Sequence, residues 1–313
     1  MVTEFGVESP AFVAIRGILS VCSIGLLGAL ALHWFVLARY AGPDAEQVRA
    51  AVNARLPRWI ARIGFVAVAA TLARLLAQHA AVFGTEEAFS VDSLATLLFR
   101  SNWGRSWWLA ILSATVVSGV ATQLRRVRTS AWVVASAAIL LFALSQPLSG
   151  HPAAAEMPSL AVATQWLHLV GAGGWVGSLA MLTLLAIPTT RHTEGYSSAN
   201  PDARVAGLVR AFSPTALAFA AILGITGLFT AWDNLGGFAP LWESVYGRTL
   251  MIKLGLLSVA VATGAYNWRR VLPVLGEAQS TERLRRSSLI ELAAALMVVA
   301  VTAVLVATPM PGE

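Results

Sequence analysis

Five histidines and six methionines are the side chains of this 313-residue chain best suited to hold a soft metal ion. Two of the histidines share the stretch LSGHPAAAEMPSLAVATQWLHLVGAGGWVGSL, residues 148–179. His151 stands beside a proline in a polar break, His168 lies inside an apolar run, and Met157 falls between them. His79 sits near the end of another apolar run. Imidazole and thioether donors together suit Cu(I), and a donor set poor in carboxylates disfavours Mg, Ca or Mn. Zinc draws on more His or Cys ligands in a fixed tetrahedron. Cys22 is the only cysteine, so no intrachain disulfide and no cysteine cluster can form. His151, His168, His79 and Met157 are therefore the candidate metal ligands. Met251, Met310 and His33 fit better as packing residues.

The elements that position these donors are membrane helices. The chain is 57% hydrophobic and 12% charged, with a mean hydropathy of +0.69; a soluble domain carries roughly twice that charge fraction. Apolar runs long enough to cross a ~30 Å hydrocarbon core fall near residues 11–38, 58–83, 106–124, 130–147, 159–188, 208–232, 248–271 and 287–308. The first lacks a basic lead and is too long for a signal peptide, so it is expected to be a membrane helix. The connections after the odd-numbered spans carry fifteen basic residues, among them Arg49, Arg125, Arg204 and Arg285; those on the other side carry only Arg100, Arg105 and Arg248. That asymmetry puts both termini outside and the basic connections in the cytoplasm. The formal charge of +6 reads as this bias rather than as a nucleic-acid surface.

An internal repeat organises the spans. LFRSNWGRSWW (98–108) and LWESVYGRTLM (241–251) align at an offset of 143 and share an aromatic-Gly-Arg triplet. The expected fold is an all-α integral membrane protein of eight transmembrane helices, in two parallel four-helix halves at 1–147 and 148–313. His168 aligns with Gly25, so a metal site there belongs to one half only.

Depth sorts the polar residues, which are costly in lipid and need partners. His168 lies about nine residues into its span, roughly 13 Å below the outer face at 1.5 Å per residue. His79 lies within about a turn of that face. Gly171, Gly173, Gly174 and Gly177 leave one side of the His168 helix nearly bare, which lets a neighbouring helix approach closely. Trp175 follows on the histidine's face. Arg16 and Lys253 are near enough to the outer surface to snorkel. Arg74 is near mid-membrane with no acid at matching depth; it could bind backbone carbonyls, line a wet cavity or hold an anion such as a haem propionate. Glu291 is the only carboxylate within a span.

At these residues the chain resembles the copper resistance protein D (CopD) family of bacterial inner-membrane proteins. The likeness is carried by LSGHPA (148–153), WLHLVGAGGWVGSL (166–179), FSPTALAFAAILGITG (212–227), YGRTLMIKLGLLSVAVATGAYNWRRVLP (246–273) and RRSSLIELAAALMVVAVTAVLVATP (285–309), and more weakly by NWGRSWW (102–108). Ser178 stands where the family pattern has its second glycine after the tryptophan, a small-for-small change. The resemblance implies copper transport or handling at the inner membrane, in cooperation with a small periplasmic copper-binding protein of the CopC type, and no enzymatic activity. No phosphate-binding GxxxxGK[ST] motif or phosphorylation loop is present, so transport would be passive or coupled to another gradient. The expected path takes Cu(I) from His151 and Met157, with His79, to His168. Two alternatives stay open: haem b held by His79 and His168 as an axial pair, and a factor delivering copper to a membrane enzyme.

Overall fold

The structure, a computed structural model, describes residues 9–84, 90–124, 129–154, 156–192, 200–271, 280–306 and 308. Those residues form helices and no strands. The elements are α1 (Pro10–Leu37), α2 (Ala45–Phe83), α3 (Val91–Phe99), α4 (Asn102–Leu124), α5 (Thr129–Leu148), α6 (Pro158–Arg191), α7 (Pro201–Leu235), α8 (Pro240–Glu243), α9 (Val245–Tyr266) and α10 (Ser280–Leu305). Seven are long and apolar enough to cross a membrane, and the chain is an all-α membrane protein. The remaining long helix, α4, is 23 residues, roughly 34 Å at 1.5 Å per residue. Its tryptophans, serines and Gln123 make it less apolar than the other seven, but it packs firmly against α2 and α5.

The helix starts follow from local chemistry. Ser9 caps α1, its hydroxyl accepting from Phe12 N at 3.4 Å ahead of Pro10. Asn200 caps α7 with bonds from Asp202 N and Ala203 N, followed by Pro201. A proline at the first helical position lacks the N–H that would go unpaired there. α7 stops at Gly236, whose φ of +62° is left-handed and suits glycine. α2 begins well before the apolar run expected at 58, because the polar segment ahead of Pro57 is rich in helix formers and continues the same helix.

α4 and α9 are entered alike. Ser101 Oγ accepts from Gly104 N at 2.9 Å, and Ser244 Oγ accepts from Gly247 N at 2.9 Å. Both hydroxyls donate back to the preceding short helix, to Leu97 O and Pro240 O, each at 2.6 Å. A Cβ on Gly104 would fall 2.3 Å from Leu98 O, and one on Gly247 2.3 Å from Pro240 O. Only glycine fits where the helix turns that tightly onto the short one before it.

α1 and α6 cross at the centre. A Cβ on Gly28 would fall 2.0 Å from the carbonyl carbon of Gly177, and one on Gly177 2.0 Å from Ile24 O. The two backbones touch, and the leucine-rich core closes around them. Each of the four glycines that follow His168 is in such close contact: Gly171 with Leu223, Gly173 with Leu27, Gly174 with Phe219, and Gly177 with α1. The expected bare face is thus filled by α1 and α7. π-helical turns at Gly173–Gly177 and Leu182–Ala186 interrupt α6. At one end of the bundle the buried ion pair Arg204–Asp44, at 3.3 Å, ties α7 to the start of α2. By contrast, large apolar residues such as Phe65, Leu72, Leu217, Leu228 and Ile252 are exposed on the outside of the bundle, as a lipid-facing surface requires.

Candidate functional site

His168 sits ten residues into α6, and α7 runs alongside. Its Nδ1 is 3.1 Å from Thr226 Oγ1. The Thr226 hydroxyl donates to Ile222 O at 2.7 Å, which uses its only proton. With that proton so placed, Nδ1 is the donor of the pair, and the ring is also hydrogen-bonded to the Leu223 backbone. Anchoring one ring nitrogen on a polar partner is the arrangement that a metal-binding imidazole uses. Gly227 completes the wall, since a Cβ there would be 3.0 Å from the ring's Cε1.

Counting from the helix ends places three side chains in one layer. His168 is ten residues from Pro158, Thr226 nine from Leu235 and Lys253 eight from Val245, or roughly 12–15 Å in at 1.5 Å per residue. Lys253 is half-buried and lies within Coulombic range of the imidazole. Expected to snorkel from near the surface, it instead contributes a cation to the histidine's layer. The bare sequence pointed to His168 but not to these two partners. Matched depth on neighbouring helices was the signal that could have found them.

Below this layer the π-helical turn places Trp175 in a second polar cluster. The buried Glu291 of α10 is hydrogen-bonded to Trp175 and to Asn267, which follows α9. Asn267 Oδ1 accepts from Ser287 Oγ at 2.5 Å. A single intramembrane carboxyl thus joins α6, α9 and α10.

The other expected ligands are distributed differently. Met157 precedes the first residue of α6 and is 63% exposed. Eleven residues separate it from His168, roughly 16 Å along the helix, so the two cannot bind one ion together. His151 lies in a short 3₁₀ turn, His151–Ala154; its side chain is outside the described residues, as is Met310. His79 is buried, with Nε2 2.9 Å from Ser93 Oγ and its ring against Phe83. Ser93 in turn belongs to the capping box that starts α3, so His79 pins α3 against α2. His79 and His168 therefore direct ring nitrogens to α3 and α7 respectively. His33 pairs with Asn53 at 2.9 Å and stacks on Trp132. Met251 is half-buried in α9. Among the described residues no three His, Cys, Asp or Glu side chains gather as a metal cage.

The family model for copper resistance protein D matches residues 206–305, covering nearly all of α7 and the whole of α9 and α10. The model for the copper resistance protein D-like N-terminal domain matches residues 7–158. The copper transport protein CutJ of Bacillus subtilis (strain 168) is 27% identical over 235 residues, which is 74% of this chain. The matched region is 41% of that relative's length, so the chain spans less than half of it. No solved structure matches the chain. With its apolar helices, it is a multi-pass bacterial membrane protein. Two models of one family together match most of its length, and the chain belongs to the copper resistance protein D family.

Proposed function

We propose that the protein moves Cu(I) across the inner membrane through a site at His168. The observation that carries this reading is the imidazole held by Thr226 and the Leu223 backbone, with no carboxylate among its described contacts. A neutral nitrogen donor suits a soft monovalent ion better than a hard divalent one. The nearby Lys253 ammonium opposes retention of any cation. Few donors and an adjacent positive charge keep binding weak enough for the ion to leave, as conduction requires. The relative's name, a copper transport protein, supports the same cargo.

In this reading His151 and Met157 receive copper at the outer face and hand it down α6 to His168. The roughly 16 Å between Met157 and His168 makes them successive stations rather than co-ligands. His79 holds α3 beside that entrance. The donor is a separate small copper-binding protein of the CopC type, and no covalent chemistry takes place. The chain crosses the membrane eight times, α4 included, in two parallel halves at 1–147 and 148–313 with both termini outside. The matched serine caps and glycines at the starts of α4 and α9 support that duplication.

Elemental analysis and a visible spectrum of one purified sample test the cargo. Bound copper in a colourless protein is the expected result. A haem band in place of copper overturns the reading and restores the axial-pair alternative.

A further inference from the structure

The N-terminal half holds a second set of polar groups with no part in that path. Arg74 of α2 is 7% exposed. Its Nη2 donates to Ser149 Oγ at 2.8 Å, and Ser149 Oγ passes its own proton to the Ser145 and Gln146 carbonyls. One arm of the guanidinium fork is thus anchored at the end of α5, not suspended at mid-membrane. The Nε is buried and has no acceptor. The guanidinium carbon stands 5.9 Å from the centroid of the Trp103 ring, and the Trp103 indole N–H is also buried without an acceptor. Arg16, in the second turn of α1, lies within Coulombic range of Arg74.

These groups share one end of the bundle: the first turns of α1 and α4, the end of α5 and the last third of α2. They supply two positive charges and unpaired N–H donors. No carboxylate is among the described contacts of either arginine. A buried guanidinium that meets no carboxylate among the described residues is strongly unfavourable, and a like charge within Coulombic range adds to the cost. A bound anion removes both penalties. Guanidinium forks match the spacing of oxygens on a phosphate group, to which they donate in parallel pairs.

We infer that Arg74, Arg16 and the Trp103 indole form a binding site for a phosphate oxyanion at this end of the N-terminal half. Ser149 fixes one arm of Arg74, so the Nε edge remains for the ligand. The phosphate can come from a lipid phosphodiester or from free inorganic phosphate, because the recognising chemistry is the same. The site stands independently of the copper reading.

Two binding measurements on the full-length protein in detergent distinguish the sources. Native mass spectrometry with added phosphatidylglycerol reads the lipid, and equilibrium binding of radiolabelled inorganic phosphate reads the free anion. The expected result is one-to-one binding of one of these ligands. Arg74→Gln should weaken it at least tenfold and Arg16→Gln by about threefold, as expected for loss of a charge-assisted contact. Arg248→Gln, which alters an exposed cation of the other half, should leave it unchanged. Trp103→Phe keeps an aromatic ring over the guanidinium but removes the N–H with the pyrrole part of the indole; it should weaken binding by about threefold, and it tests the site if Arg74→Gln fails to fold. Absence of one-to-one binding of both ligands overturns the inference, as does wild-type affinity in Arg74→Gln or, should that variant not fold, in Trp103→Phe.

Discussion

Thr226→Val tests whether His168 is a prepared ligand or merely a buried imidazole. Valine preserves the branched shape and deletes the oxygen that stands 3.1 Å from His168 Nδ1. The Nδ1–Thr226 hydrogen bond is then lost, and the ring is held only by its backbone hydrogen bond to Leu223. One neutral hydrogen bond contributes about 1 kcal/mol, equivalent to about fivefold in affinity. Outer-shell partners of metal-bound histidines affect affinity by about 10–100-fold. The expected weakening is therefore about 5- to 30-fold. Anaerobic competition between the purified protein and a chromophoric Cu(I) chelator measures it directly. Thr226→Ser keeps the oxygen and should bind within about twofold of wild type, allowing for a side-chain change that leaves the hydrogen bond intact. If Thr226→Val binds like wild type while His168→Ala does not, the hydroxyl does not prepare the ligand.

Three further outcomes follow from the same geometry. Lys253→Met removes a cation near the imidazole, and at an effective dielectric near 20 this is worth on the order of 1 kcal/mol; Cu(I) should bind about fivefold tighter in the same competition assay, and unchanged or weaker binding contradicts the proposed repulsion. Gly28→Ala forces a methyl to within 2.0 Å of the Gly177 backbone, an overpacking that costs about 3 kcal/mol; it should lower the melting temperature in detergent clearly, whereas Gly119→Ala, with open space around it, should not. In a Cys22→Ala background, Glu156→Cys should react with a membrane-impermeant maleimide on intact spheroplasts and Arg191→Cys, also exposed, only after lysis; the reverse pattern would invert the topology.

The helical frame was legible because its signals are local. Apolar runs, prolines at the first helical position and capping residues such as Ser9 and Asn200 mark each helix within a few residues. Two features escaped for definable reasons. The front of α2 is polar, so hydropathy misplaced the start of a helix that propensity sustains from Ala45. No local pattern announces the π-helical turns of α6, the first of which lies against α1. His168 could be read from the cost of an imidazole in an apolar run, and its glycine neighbours from the need for close helix contact. Its partners could not. Thr226 is 58 residues away and Lys253 is further still, and their approach to His168 is set by how α7 and α9 pack. Glu291 was visible as a lone intramembrane acid, whereas its bonds to Trp175 and Asn267 depend on three helices meeting.

The central claim is that copper crosses the membrane through His168. Uptake of isotopic copper into proteoliposomes tests it most directly, with wild-type protein and His168→Ala reconstituted at equal abundance and verified as folded. The account predicts uptake by the wild-type protein well above empty liposomes, and a fall to near that background in His168→Ala. Equal uptake by the two proteins would contradict it.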